Sequence, residues 1–343
     1  MSAAPGGDAV STKLLVSLLL VVAVIGVAGY AVLFYLTSVQ GKSHQGALPA
    51  LTGEERAIAD RLKRHIETIA AREHNIEHFD ELEKVAAYLE ATLRSLGYAV
   101  GRQEFAADGK TVRNIDAIIE PPAGTTDPEV ILVGAHYDSA EDTPGANDNA
   151  SGTAAVLELA RLLTDLKGHT RKRIRLVLFV NEEPPYFQTE DMGSLHYAKA
   201  LTARRERVTA MYSLETLGFY SSEPGSQRYP VPFGVMFPDR GDFVSFVGLL
   251  NSRPLLQETM RSFRAHTSFP TVGGVAPGFI PGIDWSDHWA FAEHGFQALM
   301  ITDTAIFRYP HYHKPTDTPD KVDTERLARV VKGIERVIRD LAR

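Results

Sequence analysis

Residues 129–152, EVILVGAHYDSAEDTPGANDNASG, constrain this chain more than any other stretch. The apolar run 130–135 predicts a buried strand, since a short continuous apolar segment bounded by turn residues suits a strand covered on both faces. That strand would deliver His136 and Asp138 to its carboxyl end. After a loop punctuated by Pro144 and Gly145, Asp148 stands where a helix is expected to begin. Within the helix Val156, Leu159, Ala160 and Leu163 follow one another at i, i+3, i+4 and i+7. Strand, loop and helix in this order form a unit of an open α/β sheet, where ligands bind outside the carboxyl ends of the strands. Histidine and aspartate placed there suit a hard or borderline metal ion.

The remaining segments extend the pattern. Helices are expected over 54–71, 80–96, 193–205, 242–250 and 254–266, and from Thr324 onwards. The second opens with Asp80 and Glu83 in capping-box spacing and stops at Gly97. Strands are expected over 98–105, 112–120, 174–180, 208–214 and 298–301, and the Pro/Gly-rich stretch 221–237 reads as a surface excursion. Strands alternating with helices predict a doubly wound, mostly parallel α/β sheet flanked by helices. Several strands end in metal-capable side chains: His136 with Asp138, Glu182 with Glu183, and Glu215. Tyr312-His313 adds a candidate nearer the carboxyl end. Singly, each has a plain explanation: Asp148 as a helix cap, the glutamate pair as a solvated strand end, His313 as a loop histidine. Their convergence on one rim of the sheet argues for a shared site.

Composition narrows the chemistry. The 343 residues, 44% of them hydrophobic, can bury a full core. A net charge of −7 and a pI near 6.0 argue against nucleic acid as a partner. With no cysteine, disulfides are excluded and any metal must be held by nitrogen and oxygen. Such a site accepts zinc, and equally cobalt or manganese.

The amino-terminal region divides into three expected parts. Residues 1–13 form a short polar tail. Residues 14–36 run 23 positions without a charge, long enough for a transmembrane helix. A cleaved signal peptide is the competing reading, but its apolar region runs about 7–15 residues, and no convincing small-x-small cleavage site follows here. A single-pass anchor is therefore expected. Lys13 beside the span places the amino terminus in the cytoplasm and the large domain on the outer, periplasmic or extracellular, side. Residues 37–50, polar and glycine-containing, read as a linker, and residues 51–343 as one globular domain.

HYDS, GANDNASG, NEE with the later Gly193-Ser194, LETLG, and YH-x-x-x-D occur in that order. Together they resemble the zinc exopeptidase family, which contains bacterial leucyl aminopeptidase, glutamate carboxypeptidase and glutaminyl cyclase. The resemblance covers residues 51–343. It implies two zinc ions bridged by Asp148, one also held by His136 and Glu215, the other by Glu183 and His313. Glu182 matches the general base of the family, Asp138 the carboxylate that orients the first histidine, and Tyr312 a donor to the reaction oxyanion. Ser286-Asp287-His288 resembles a segment near the site, where Asp287 would brace a ligand or cap the following helix. The implied activity is hydrolysis of terminal bonds in peptides, most of all by an aminopeptidase. Two alternatives accompany it: a glutaminyl-cyclase-like acyltransferase with one zinc, and a catalytically inactive binding ectodomain. The Asn-Asp-Asn-x-Ser-Gly form and the intact set of ligand positions favour the peptidase.

Two departures stand out. Glu215 occupies a position where many relatives have aspartate. Pro184-Pro185-Tyr186-Phe187 intervene before Gly193, a stiff loop expected to shape the substrate pocket. A separate pattern, His74-x-x-Glu77-His78, matches an inverted zincin motif, which works only within a continuous helix. A new helix starting at Asp80 predicts that this segment straddles a helix end and a loop. No G-x-S-x-G elbow, P-loop or G-x-G-x-x-G occurs.

Overall fold

The computed structural model describes residues 7–343, with the side chains of residues 7–11 and 13 excepted. The first part of the expected polar tail and the Lys13 side chain, on which the expected orientation rests, lie outside the described residues. The chain forms two compact units divided after Ser38. The first is helix α1 (Gly7–Thr37), which starts before the expected span and includes the uncharged segment Leu14–Thr37. Its apolar side chains from Leu14 onwards are mostly exposed all round.

The second unit contains helices α2 (Gly53–Ile69), α3 (Phe79–Ser95), α4 (Gly152–Leu162), α5 (Gly193–Ala203), α6 (Arg253–His266), α7 (His288–Glu293), α8 (Ala305–Arg308) and α9 (Thr324–Leu341). Its strands are β1 (Val100–Ala107), β2 (Lys110–Ile119), β3 (Val130–His136), β4 (Arg173–Phe179), β5 (Val208–Glu215), β6 (Val244–Gly248), β7 (Thr271–Val275) and β8 (Ala298–Thr302). These make one eight-stranded sheet in the order β1-β2-β4-β3-β5-β8-β6-β7. The central strands β4, β3, β5 and β8 run parallel to one another. Antiparallel pairings enter at β1–β2, β2–β4 and β6–β8. Every residue of β3 is buried, as a parallel strand with helices on both faces requires. Tyr197 and Leu201 of α5 and Phe291 of α7 pack on one face against Leu132, Val177 and Met211. Helices α2, α4, α6 and α9 form the opposite layer.

Several local expectations are corrected. The capping box sits at α2, where the Thr52 hydroxyl accepts the Glu55 N–H at 3.1 Å and the Glu55 carboxylate accepts the Thr52 N–H at 2.7 Å. Helix α3 begins at Phe79 without a side-chain cap, and Glu83 pairs instead with Arg113 at 2.7 Å. Residues 242–250, expected as a helix, contain strand β6, paired with β8. A short apolar run such as Val244–Gly248 carries no period that separates strand from helix, and tertiary pairing decided it. The glycine-rich strand β7 had no strand signal of its own. Residues 37–50, expected as a linker, are pinned in part to the domain: Thr271 N–H donates to Ser43 Oγ at 2.8 Å, Arg264 donates to the Gly41 carbonyl at 2.7 Å, and Arg329 bonds the Pro49 carbonyl.

Candidate metal centre

Three parallel strands end side by side, and their last residues meet. His136 closes β3, Glu182 and Glu183 follow β4, and Glu215 closes β5. His136 Nδ1 faces the Asp138 carbonyl at 3.0 Å, so a proton there leaves Nε2 as the free donor atom. Nε2 lies 3.4 Å from Asp148 Oδ1, 3.4 Å from Glu215 Oε2 and 3.7 Å from Glu182 Oε2. On the other side of Asp148, Oδ2 lies 3.2 Å from His313 Nε2, which is itself 3.1 Å from Glu183 Oε2. Asp148 is therefore the shared member of two groups, His136 with Glu215 and His313 with Glu183. Glu182 stands beside the first. Tyr312 stacks on the His313 ring, with centroids 4.0 Å apart and planes at 17°.

The expected supports are partly reassigned. The Asp138 carboxylate sits 3.6 Å from His136 Nδ1, but its oxygens accept the backbone N–H groups of Glu182 and Glu183, each at 3.1 Å. It positions the glutamate pair, while its own main-chain carbonyl orients His136. Asp148 caps no helix: α4 starts at Gly152, and Asp148 lies in a distorted turn with φ −114° and ψ 90°. Asp287 does not cap α7, and neither of its fully buried oxygens has a hydrogen-bond partner. The neighbouring Ser286 hydroxyl donates to Glu215 Oε2 at 2.8 Å and meets Ser213 Oγ at 2.8 Å.

The polar residues of the 147–153 turn stitch the rim together. Asn147 accepts the Gly218 N–H and donates to Asp303, Asn149 accepts the Thr216 N–H, and Thr153 donates to the His136 carbonyl. Asp317 receives the N–H groups of Asn147 and Asp148 at 2.8 and 3.1 Å. Asp317 closes the YH-x-x-x-D motif, a signal that could have assigned it a role; Asp303 had none. Gly152 is required by space, because a Cβ there would stand 2.2 Å from the Leu214 carbonyl oxygen.

The donor set fits a divalent cation. His136 Nε2, both Asp148 oxygens and Glu183 Oε1 are buried without a hydrogen-bond partner, which is costly unless another partner satisfies them. One donor atom from each of His136, Asp148 and Glu183 lies within 4.8 Å of the others. Electrostatics agree. Burial opposes a charged His136, yet Glu182 and Glu215 outweigh it and hold the imidazole well above its ordinary value. Burial likewise opposes the His313 charge, but the adjacent carboxylates of Asp148 and Glu183, 3.2 and 3.1 Å away, bring it up to about 11. Burial, then the nearby Asp148 charge, pushes Glu183 up to about 7, and burial with Glu215 and Glu183 raises Glu182. So many carboxylates around two imidazoles retain protons that a metal would displace on binding.

The inverted-zincin pattern lies wholly between α2 and α3 rather than straddling a helix end: His74 and Glu77 precede α3, and His74 Nδ1 is taken by the Arg72 carbonyl at 2.8 Å. Beside Glu215 and Tyr312 opens an apolar cavity, part of it open to solvent. Its walls come from Tyr229, Phe233 and Phe237 of the 221–237 excursion, from Ile283 and Trp285, and from Phe307. The loop at Pro184–Phe187, expected to shape the pocket, does not line this cavity. Tyr186 instead bonds Asp108.

Comparison with known proteins accords with this geometry. The sequence profile of Peptidase family M28 matches residues 114–338. The chain is 37% identical over 299 residues to YfbL of Escherichia coli (strain K12), described as an uncharacterized protein, covering 84% of this chain and 89% of that one. It is 29% identical over 229 residues to aminopeptidase YwaD of Bacillus subtilis (strain 168), covering 64% of this chain but only 42% of YwaD. Among solved structures, BSAP, a zinc aminopeptidase from Bacillus subtilis, superposes with a TM-score of 0.66 at 16% identity, covering 86% of this chain and 96% of that one. That likeness shows the shared fold.

Proposed function

The chain belongs to Peptidase family M28, and from that premise we propose that it is a membrane-anchored dinuclear zinc aminopeptidase. The observation that carries the reading is Asp148, whose two unpartnered buried oxygens face His136 on one side and His313 on the other. His136, Asp148 and Glu215 would hold one zinc, and Asp148, Glu183 and His313 the second. Bound there, the ions would supply Lewis acidity and lower the pKa of a water towards neutrality.

The protein groups supply the rest. Glu182, fixed through its backbone N–H by Asp138, accepts a proton from the attacking water. It then delivers that proton to the departing amine, so that one water is added across the peptide bond. Tyr312, held flat against His313, donates to the oxygen on which negative charge develops. The apolar cavity next to Glu215 and Tyr312 receives the terminal side chain. Residues 14–36 anchor the chain in the membrane, with the peptidase domain on the outer side.

The test is metal content with a substrate panel. Purified full-length protein is expected to carry two zinc per chain and to cleave free-amino aminoacyl substrates with apolar first residues. N-acetylated substrates are expected to resist cleavage, and chelation to remove activity that zinc restores. One zinc per chain together with cyclisation of amino-terminal glutamine would replace this reading with the acyltransferase; ligand binding without any turnover would replace it with the inactive ectodomain.

Ser286→Ala probes a support. Removing the donor to Glu215 Oε2 leaves that carboxylate less well oriented. Zinc affinity is expected to fall about 10–100-fold, the range typical of such outer partners. Competition against a chelator measures it, and unchanged affinity would show that Ser286 orients nothing that matters to the metal.

A further inference from the structure

Among the described residues outside α1 the exposed large apolar side chains are Val231, Val235, Leu250, Phe279 and Trp285. All but Leu250 lie on two loops, and neighbours on those loops, Pro230, Phe233, Pro281 and Ile283, line the apolar cavity beside the candidate metal centre. Their exposures are high: 90% for Val231, 75% for Val235, 83% for Phe279 and 47% for Trp285. Water-facing apolar side chains gathered around one opening mark an interaction surface.

The path of the chain says what covers it. Glu215 pairs with Thr302, Thr302 with Ser245, and Ser245 with Val272, so one row of residues crosses from β5 to the edge strand β7. Three strand spacings amount to about 14 Å. Next to Val272, the Thr271 N–H is bonded to Ser43, and Gln40 N–H bonds Gln257 at 3.0 Å. Strand alternation sends Val272 and Gly274 to the cavity face, while a Cβ on Gly273 would meet Leu256 and Met260 of α6. The segment leading to α1 thus leaves the peptidase domain at the level of the metal centre, along the strand that floors the cavity. Only two residues lie between Thr37, the last residue of α1, and Gln40. That is about 10 Å of fully extended chain.

We propose that the apolar mouth of this cavity, carried by Val231, Val235, Phe279 and Trp285, rests on the lipid bilayer that holds α1. The proposal rests on reading α1 as a membrane anchor and is independent of the peptidase chemistry. So short a tether keeps the rim of the sheet near the bilayer surface. Aliphatic and aromatic side chains there are removed from water by entering the interfacial layer, where tryptophan is favoured. The cavity would then draw peptide ends with apolar first residues from the membrane surface.

The chain has no cysteine, so single cysteines accept a nitroxide specifically. Val231→Cys, Val235→Cys and Phe279→Cys, at exposed positions, are compared with Glu104→Cys on the opposite edge strand β1, all in full-length protein. The proteins are reconstituted into nanodiscs of phosphatidylcholine and phosphatidylglycerol. The ratio of oxygen to water-soluble nickel accessibility is expected to be several-fold higher at the three mouth positions than at Glu104→Cys. Water-like ratios at all of them, in protein that co-purifies with nanodiscs, overturn the proposal. Dipolar broadening between labels on two chains overturns it too, in favour of a second copy as the cover. Failure of the chain to enter nanodiscs overturns the anchor and the proposal together. None of these readouts requires turnover, so a failed peptidase assignment cannot imitate a failed docking assignment.

Discussion

Glu182→Gln is expected to lower kcat by about 10²–10⁴-fold, the usual contribution of a positioned general base, while bound zinc stays at the wild-type level. The substitution keeps the size and planarity of the side chain and removes only its capacity to take a proton. Its location makes the separation of roles possible. The Glu182 and Glu183 backbones are both held by Asp138. Glu183 reaches His313 at 3.1 Å, whereas Glu182 turns to the His136 side at 3.7 Å. One member of the pair can therefore serve as ligand and the other as base. Steady-state kinetics on an aminoacyl substrate, paired with metal analysis of the same preparation, reads both quantities. A near wild-type rate would remove Glu182 from the mechanism, and loss of zinc together with activity would recast it as a ligand.

Asp148→Ala should have the larger effect on metal: both ions lost, with activity falling further than the about 10–100-fold cost of disturbing an outer partner. No other side chain at the site faces both histidines through separate oxygens, at 3.4 Å from His136 and 3.2 Å from His313. A thermal assay gives a readout independent of catalysis. A ligand that binds only the folded state raises stability by RT ln(1 + [L]/Kd), so zinc is expected to raise the Tm of the wild type and to leave that of Asp148→Ala unmoved. Asp148→Asn, which preserves shape, controls for folding. A zinc-dependent rise in Tm retained in both variants would show that Asp148 is not the shared ligand.

Much of this protein was legible in the sequence because the deciding signals are local. Residues 130–135 are apolar without interruption, so they had to be buried, and His136 at the end of that run had to emerge at the rim. The same holds for the glutamates that follow β4 and for Glu215 at the end of β5. The uncharged segment before the domain declared its length directly. Periodicity failed where a segment was too short or too rich in glycine to carry a period: Val244–Gly248 and Thr271–Val275 became strands because β8 and then β6 offered them a hydrogen-bonding edge.

Only the tertiary structure decided which polar groups support the site. Asp317 reaches the Asn147 N–H from 170 positions away, and Ser286 reaches Glu215 from 71. Such pairings follow from how layers pack, and no local pattern announces them. The same holds for the cavity, whose walls come from loops far apart in the chain, and for the pinning of residues 40–49. The chain order specified what each strand carries to its end, and the packing of those strands decided that the carried groups meet around Asp148.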